Sequence, residues 1–210
     1  MRTNLLNPFG PRIVLASQSA RRRDLLTLVG AHFDCFPVDV DESPLPAERA
    51  EAHVLRLAEA KARAAFERGA TRAYAEPAVL LGADTVVTID REILGKPGAA
   101  ESAARMLQRL SGRVHEVWTG LSLVHPGDGR AVTQAVRSIV KLANLDRAEI
   151  DRYIATGEPL DKAGGYAVQG HGALYVEAIE GSYSNVVGLP LSHLKHALKL
   201  LLEAPAKREA

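Results

Sequence analysis

The chain contains an apolar run of twelve residues, Ala78–Ile89, in which Asp84 is the only charged side chain. A strand that is apolar at both odd and even positions is typical of sheets covered on both faces. We therefore predict a buried central strand here. An unpaired carboxylate inside such a strand is costly to bury, so Asp84 needs either a partner or a function.

The segments on either side of this run alternate between strand and helix patterns. Short β-branched or alternating stretches predict strands at Arg12–Ser17, Phe33–Val40, Val114–Val124 and Thr133–Leu142, with shorter ones within Gly164–Ser182. Apolar residues at helical spacing predict helices at Ala20–Val29, Ala47–Gly69, Ala100–Leu110, Asp146–Ala155 and Pro190–Leu202. Interleaved strands and helices with one antiparallel hairpin predict an α/β fold with a mixed sheet.

The composition is that of an ordinary globular chain, with 47% hydrophobic and 24% charged residues among 210. No linker composition is visible, so we predict one domain over 12–203, an N-terminal extension at 1–11 and a C-terminal tail at 204–210.

The formal net charge of +1 argues against a stable nucleic-acid partner, which requires excess Lys and Arg. No apolar run approaches the ~20 residues of a membrane span. With a single cysteine, Cys35, these features predict a cytoplasmic protein.

Three consecutive arginines, Arg21, Arg22 and Arg23, stand at the start of the first predicted helix. A helix N-terminus is partly positive, so each cation there is disfavoured by roughly 0.3–1 kcal/mol. A phosphate bound by the helix N–H groups and the hydroxyls of Ser17 and Ser19 would offset that repulsion. The alternative is that Ser19 caps the helix and the arginines are solvated. Replacing Arg22 by alanine is expected to leave thermal stability unchanged or raise it.

Carboxylates and lysines in unusual settings add to this signal. Small residues flank Asp84 and leave room for a ligand, water or metal; the alternative is a structural aspartate held by backbone N–H groups. Glu42, in an acidic loop, would supply a second oxygen ligand for a hard cation, or is simply solvated. Lys61, Lys96 and Lys162 each suit a phosphate-directed charge, although each taken alone is typical of a surface residue. Together these groups indicate metal-assisted phosphate chemistry.

Several other classes of site lose support. The chain has no P-loop, no dinucleotide-binding glycine fingerprint and no nucleophile elbow. His193 and His196 have a spacing that a metal accepts, but an amphipathic helix face explains them better. Cys35 has the character of a small hydrophobic residue.

Seven blocks carry a family resemblance: Leu15–Leu26, Val54–Ala62, Gly82–Val87, Gly95–Pro97, Thr156–Pro159, Asp161–Gly170 and Asn185–Pro190. In their order and spacing they resemble the Maf family of nucleoside triphosphate pyrophosphatases, from about Arg12 to about Leu202. Ala20 departs from the family, which usually has proline before the arginine pair. We expect this change to loosen the turn slightly without removing a functional group.

The resemblance implies a mixed-sheet α/β fold related to the inosine triphosphate pyrophosphatases, with the site in a cleft between two lobes. It also implies hydrolysis of a nucleoside triphosphate to the monophosphate and pyrophosphate with a divalent cation, Mg2+ or Mn2+. By motif, Asp84 corresponds to the proposed catalytic carboxylate, and Glu42 and Asp84 to metal ligands. The family's triphosphate-binding cations correspond to Arg21, Arg22, Lys61, Lys96 and Lys162, and Ser17 belongs to the same substrate-binding set. The resemblance also implies that Asp161 supports the metal or Lys162.

Three positions bear on the base. The family branch that acts on dTTP and UTP has Arg, Thr and Gln at three positions where the 7-methyl-GTP branch tends to have Trp, Gln and Glu. In this chain those positions hold Arg21, Thr85 and Gln169. A glutamine amide both donates to and accepts from the O4/N3–H edge of thymine or uracil. The alternative is that Gln169 merely satisfies the glycine-rich loop around it. The resemblance therefore implies a preference for dTTP and UTP.

Two other functions were weighed. A non-catalytic nucleotide-binding regulator of cell division is suggested by the septum phenotype that named the family. It would need cations but no carboxylate near the phosphates, so Asp84 and Glu42 argue against it. A structured-RNA binder is disfavoured by the net charge and the few aromatic residues. The sequence does not set the oligomeric state, and a homodimer is compatible with it.

Overall fold

The computed structural model describes residues 10–72, 74 and 78–203. Within these ranges the strands are β1 (Arg12–Leu15), β2 (Phe33–Cys35), β3 (Ala78–Ile89), β4 (Glu92–Leu94), β5 (Val114–Val124), β6 (Ala131–Leu142) and β7 (Val176–Glu180). The α-helices are α1 (Ala20–Leu28), α2 (Ala50–Glu67), α3 (Ala100–Leu110), α4 (Arg147–Ala155), α5 (Tyr183–Val187) and α6 (Leu191–Glu203). Short 3-10 turns cover Glu158–Asp161, Ala163–Gly165 and Gly170–Tyr175.

The strands form one mixed sheet in the order β2-β1-β3-β5-β6-β7, with β4 paired to β3. The pairs β1–β2 and β1–β3 are parallel, and the remaining pairs are antiparallel. The predicted α/β class with a mixed sheet is therefore confirmed. As predicted, β3 is central, and every residue in it is buried except Thr85.

An opening along one edge of β3 determines where a ligand can enter. The parallel partner β1 pairs with β3 as far as Leu81, and the antiparallel partner β4 pairs from Val87. Among the described residues, the intervening edge from Gly82 to Val86 has no strand partner on that side. On the same face of β3, one apolar cluster contains Leu81 and another contains Val87. The edge with Asp84 and Thr85 thus lies between two packed regions.

Helix α2 lies directly on the backbone of the sheet. A Cβ atom added to Gly82 would stand 2.1 Å from the carbonyl oxygen of Ala58, and one added to Gly120 would stand 2.0 Å from that of Val54. These two glycines, on the neighbouring strands β3 and β5, allow the helix to approach without an intervening layer of side chains. Lys61, one turn beyond Ala58, is thereby brought within reach of the middle of β3.

Two predicted elements are shorter than expected. The strand predicted over Phe33–Val40 covers β2 alone, because Pro37 has no N–H to contribute to a ladder. The helix predicted from Ala47 begins at Ala50, since Ala47 has a φ of 57°, outside the helical region. The acidic loop between these elements, which contains Glu42, is correspondingly longer.

Two elements were not predicted. Strand β4 follows a tight turn in which Asp90 and Arg91 have φ values of 53° and 65°. That geometry usually requires glycine or asparagine, so the turn lacks its usual sequence signature. Helix α5 has only five residues and begins after the N-cap Ser182. The region Gly164–Ser182 contains mostly 3-10 turns and, among the described residues, β7 as its one strand.

None of the described helices combines the length and hydropathy needed to cross a membrane. The predicted N-terminal extension at 1–11, apart from its last two residues, and the predicted tail at 204–210 lie outside the described residues. The domain boundaries therefore stay a prediction.

Candidate active site

A cleft of about 770 Å3 opens at the unpaired edge of β3. Its walls come from the β1–α1 turn, the acidic loop, α2, the middle of β3 and the glycine-rich segment after α4. The site residues expected from the sequence all line it: Ser17, Arg21, Arg22, Glu42, Lys61, Asp84, Thr85, Lys96, Asp161, Lys162 and Gln169. Residues that are far apart in sequence thus share one concave surface.

At the base of the cleft one ammonium group bridges two carboxylates. The Nζ atom of Lys61 lies 2.8 Å from Oδ1 of Asp84 and 2.5 Å from Oε1 of Glu42. The side chains of Lys61 and Asp84 are buried, whereas that of Glu42 is half exposed. Lys61 is therefore not the surface residue that its sequence context alone indicated. The pair with Lys61 also excludes the alternative in which backbone N–H groups alone satisfy Asp84.

The ionisation of Glu42 is tuned by this contact. Burial raises the pKa of the Glu42 carboxyl, but the hydrogen bond and charge of Lys61, with the more distant Lys96 and Arg22, outweigh it and hold the pKa below its ordinary value. Glu42 is consequently a carboxylate at neutral pH. Two carboxyl side chains at the base of a cleft fit Mg2+, which usually takes one or two protein carboxylates and completes its shell with phosphate oxygens and water. The described residues hold no cluster of three or more His, Cys, Asp or Glu side chains suited to a metal.

The three arginines of α1 occupy three different environments. Ser19 is the N-cap, and its hydroxyl accepts from the backbone N–H of Arg22 at 3.4 Å. Arg23 is exposed, Arg21 is partly buried, and Arg22 is buried. The solvated interpretation is thus correct for Arg23 and wrong for Arg22. Burial also lowers the pKa of the Arg21 guanidinium, which the charges of Asp161 and Glu158 oppose.

Arg22 is fixed by contacts with three segments. Its Nε donates to the carbonyl of Gly188 at 2.9 Å, while Nη1 and Nη2 donate to the hydroxyls of Ser17 and Thr85, each at 3.1 Å. One further N–H on each terminal nitrogen remains to bind an anion in the cleft. These contacts reverse the expectation from the helix dipole that replacing Arg22 would not destabilise the protein, because its removal takes one donor from each of three acceptors inside the fold.

The two remaining lysines lie on adjoining loops. The turn containing Lys96 is tied to the segment after α4 by backbone hydrogen bonds from Gly98 to Leu160 and from Gly164 to Gly95, both 3.1 Å. Lys162 forms an ion pair with Asp161, which is one of the two contacts expected for that carboxylate. Lys96 is exposed and Lys162 is partly buried, so both ammonium groups are accessible from the cleft.

The groups that hold the acidic loop on α2 were not predicted from the sequence. Glu48 accepts from Arg56 Nε at 2.7 Å and from the backbone N–H of Leu45 at 3.0 Å, and it contacts the ring of His53 at 2.8 Å. These contacts, led by the hydrogen bond from Arg56, strongly lower the pKa of Glu48. His53 is buried, lines the cleft and lies eight residues before Lys61 on one face of α2. Helical spacing from Lys61 was the signal that would have found it.

Comparison with known proteins places the chain in a family. The family model described as Maf-like protein matches residues 12–201. The chain belongs to the Maf family. This Maf chain is 51% identical over 189 residues to the dTTP/UTP pyrophosphatase of Geobacter sp. (strain M21), covering 90% of its own length and 95% of the relative. It is 50% identical over 183 residues to the dTTP/UTP pyrophosphatase of Alkalilimnicola ehrlichii, with coverages of 87% and 89%.

Among solved structures, the Maf chain aligns with the Staphylococcus aureus Ham1 protein at 14% identity and a TM-score of 0.44, covering 90% of this chain and 98% of that one. A nucleoside-triphosphatase, dITP/XTP pyrophosphatase, from Mycobacterium abscessus aligns at 15% identity and a TM-score of 0.38, with coverages of 91% and 94%. TM-scores below 0.5 add no weight to the assignment. The resemblance to the Maf family seen in the sequence is confirmed by the family match.

Proposed function

We propose that this Maf chain hydrolyses nucleoside triphosphates, preferentially dTTP and UTP, to the monophosphate and pyrophosphate. The observation that carries the proposal is the pairing of Asp84 and Glu42 around Lys61 at the base of a cleft lined with further cations. The two relatives align with this chain over 95% and 89% of their own length. Their name, dTTP/UTP pyrophosphatase, supports the same reaction.

The cations of the cleft are the proposed triphosphate site. Arg22 is held in place by protein contacts and directs its remaining N–H groups to a phosphate oxygen, beside the hydroxyl of Ser17 and the N-terminus of α1. Lys96 and Lys162 lie on the adjoining loops of the same cleft. Their charges offset the charge that develops on the departing pyrophosphate.

In the proposed reaction, water attacks one of the two phosphorus atoms that flank the bridging oxygen between the α- and β-phosphates. A P–O bond forms to the water oxygen, and the bridging P–O bond breaks with its electron pair on the leaving group. We propose that Asp84 organises this water, either by accepting its proton on the carboxylate oxygen that Lys61 does not engage or through a bound cation. Asp84 and Glu42 are the residues that would hold Mg2+ or Mn2+. When bound, such a cation neutralises phosphate charge and lowers the pKa of water.

A non-catalytic nucleotide-binding regulator is the competing proposal. Such a protein needs the arginines and lysines of the cleft, but an acidic pair near the phosphates would repel its ligand unless a cation or a proton transfer used it. The presence of both Asp84 and Glu42 in the wall of the cleft therefore favours hydrolysis.

The deciding experiment is an assay of the purified protein with dTTP, UTP, CTP, GTP and 7-methyl-GTP, each with Mg2+ or Mn2+. We expect the monophosphate and pyrophosphate in equal amounts, with the highest kcat/KM for dTTP and UTP. Binding without product would support the regulator, and release of orthophosphate would contradict the pyrophosphatase reaction. A preference for 7-methyl-GTP would overturn the base assignment alone.

We expect Gln169→Glu to reduce the UTP:GTP ratio of kcat/KM by about tenfold, the range for one altered polar contact to a substrate. A carboxylate cannot donate to O4 of uracil, whereas the glutamine amide donates and accepts. Steady-state kinetics with both nucleotides measures the ratio. Gln108→Glu, an exposed change of the same chemistry on α3, should leave it unaltered. A ratio that is the same in both variants would show that Gln169 does not read the base.

We expect Lys61→Met to move the acid limb of the pH–kcat/KM profile to higher pH. Lys61 holds the pKa of Glu42 low, so Glu42 stays ionised as the pH falls; without the ammonium, protonation occurs at a higher pH. The position of the limb is measurable even if the rate is reduced throughout. Lys195→Met, on the exposed face of α6, is the control. A profile that changes only in height would contradict the role of Lys61.

A further inference from the structure

The carboxylate of Glu158 is the centre of a hydrogen-bond network beneath the glycine-rich segment. Its Oε1 accepts from the hydroxyl of Tyr153 at 2.8 Å and from the backbone N–H of Gly172 at 3.0 Å. Its Oε2 accepts from the backbone N–H of His171 at 3.0 Å. The hydroxyl of Tyr153 in turn accepts from the backbone N–H of Ala167 at 3.1 Å. A buried tyrosine on α4 and a carboxylate in the following turn therefore hold two separate points of one loop.

Gln169 lies midway between these two points. Ala167, two residues before it, is held by Tyr153, and His171, two residues after it, is held by Glu158. The N–H groups of Ala167, His171 and Gly172 are thus satisfied by Tyr153 and Glu158 without Gln169. The side chain of Gln169 lies at the wall of the cleft.

Two glycines show how closely the loop fits this network. Gly170 has a φ of +71°, and a Cβ atom there would stand 2.4 Å from Oε2 of Glu158. A Cβ atom on Gly172 would stand 2.5 Å from the hydroxyl of Tyr153. Side chains at these positions would displace the loop from the two anchoring groups, so the glycines and the network require each other.

We infer that Glu158 and Tyr153 are positioning residues for nucleotide selectivity: they fix the backbone on both sides of Gln169, so that its amide meets the base in one orientation. The inference deepens the proposed function and rests on it for the identity of the substrate. Glu158 also begins the turn that leads to Asp161 and Lys162, so the same carboxylate joins the base side of the cleft to the phosphate side. A polar group that is fixed before binding discriminates between bases better than a mobile one, because binding does not have to order it.

The first test uses the ligand-free protein and does not depend on activity. Hydrogen–deuterium exchange of the backbone amides of His171 and Gly172 should be at least about tenfold faster in Glu158→Ala than in the wild-type protein, since those two N–H groups lose their acceptor. Glu149→Ala is the matched control, because Glu149 also accepts a backbone N–H, at the opposite end of α4. Unchanged exchange at His171 and Gly172 in Glu158→Ala would overturn the anchoring.

The second test measures kcat/KM for UTP and GTP in Glu158→Ala and Tyr153→Phe. We expect the UTP:GTP ratio to fall by about tenfold in the first and less in the second, which keeps the aromatic ring and loses one anchor. Tyr153→Phe carries the test if Glu158→Ala does not fold. Equal losses for both nucleotides would show a merely structural role and overturn the inference. Failure of the wild-type protein to hydrolyse any nucleotide would instead contradict the proposed function, and the exchange result would still decide the anchoring.

Discussion

Asp84→Asn is expected to lower kcat for pyrophosphate release by at least about a hundredfold, the lower end of what general acid–base catalysis contributes. Asparagine keeps the shape of the side chain and an oxygen that accepts from Lys61, but it cannot take a proton from water. The ammonium of Lys61 also keeps the charge of Glu42 as a partner, so the fold should persist. Single-turnover kinetics, with circular dichroism to monitor folding, measures both effects.

The control for this variant is Asp90→Asn. Asp90 lies just beyond the end of β3, is exposed and pairs with Arg113 on the surface. Removing its charge should leave kcat within about twofold of the wild-type value, because exposed ion pairs contribute little. Near-normal turnover in Asp84→Asn would exclude Asp84 from the proton transfer.

Arg22→Ala is expected to reduce both kcat/KM and stability. Loss of a charge-assisted contact to phosphate should reduce transition-state binding by about 1–3 kcal/mol. Because the carbonyl of Gly188 and the hydroxyls of Ser17 and Thr85 each lose one of their hydrogen bonds, the free energy of unfolding should also fall by about 1–3 kcal/mol. Kinetics with UTP and denaturant unfolding of the ligand-free protein give the two values.

Arg23→Ala is the matched control, since Arg23 belongs to the same helical turn but is exposed. Both quantities should change little there, with a slight gain in stability from removing a cation near the helix N-terminus. A large loss of stability in Arg22→Ala with unchanged kinetics would show that Arg22 is purely structural. Unchanged stability would restore the expectation from the helix dipole alone.

Features governed by local pattern were predictable from the sequence. The apolar run at Ala78–Ile89 became the central strand, and the apolar spacing of α2 placed Val54, Leu57 and Ala58 in the interior. The helix predicted over Asp146–Ala155 and the closing helix were also located to within one residue at their first turn, because periodicity depends on neighbours within one or two turns. Most candidate site residues were indicated by charges in unusual settings, the family resemblance added Thr85, Asp161 and Gln169, and their gathering in one cleft followed from the fold.

Features governed by long-range contact were not predictable. Arg22 looked unfavourable because only its own helix was considered, whereas its acceptors come from β3 and from Gly188, 166 positions away. Lys61 looked like a surface residue because its partners lie on β3 and in the acidic loop. The Glu158 network was also invisible, since a glutamate before proline gives no sign of the loop N–H groups that it will accept.

The contact of α2 with Gly82 and Gly120 makes one wall of the cleft resistant to gradual change. Where side chains lie between a helix and a sheet, substitution of one apolar side chain for another changes the separation of the two elements slightly. At Gly82 and Gly120 no side chain lies between them, so this kind of change is not possible. The separation of the backbones that carry Lys61 and Asp84 is therefore set by main-chain contact. The opposite wall is made of loops, and a few hydrogen bonds from Glu158 and Tyr153 hold the glycine-rich one in place. A lineage with this architecture can alter which base it accepts on that second wall while its hydrolytic groups keep their spacing.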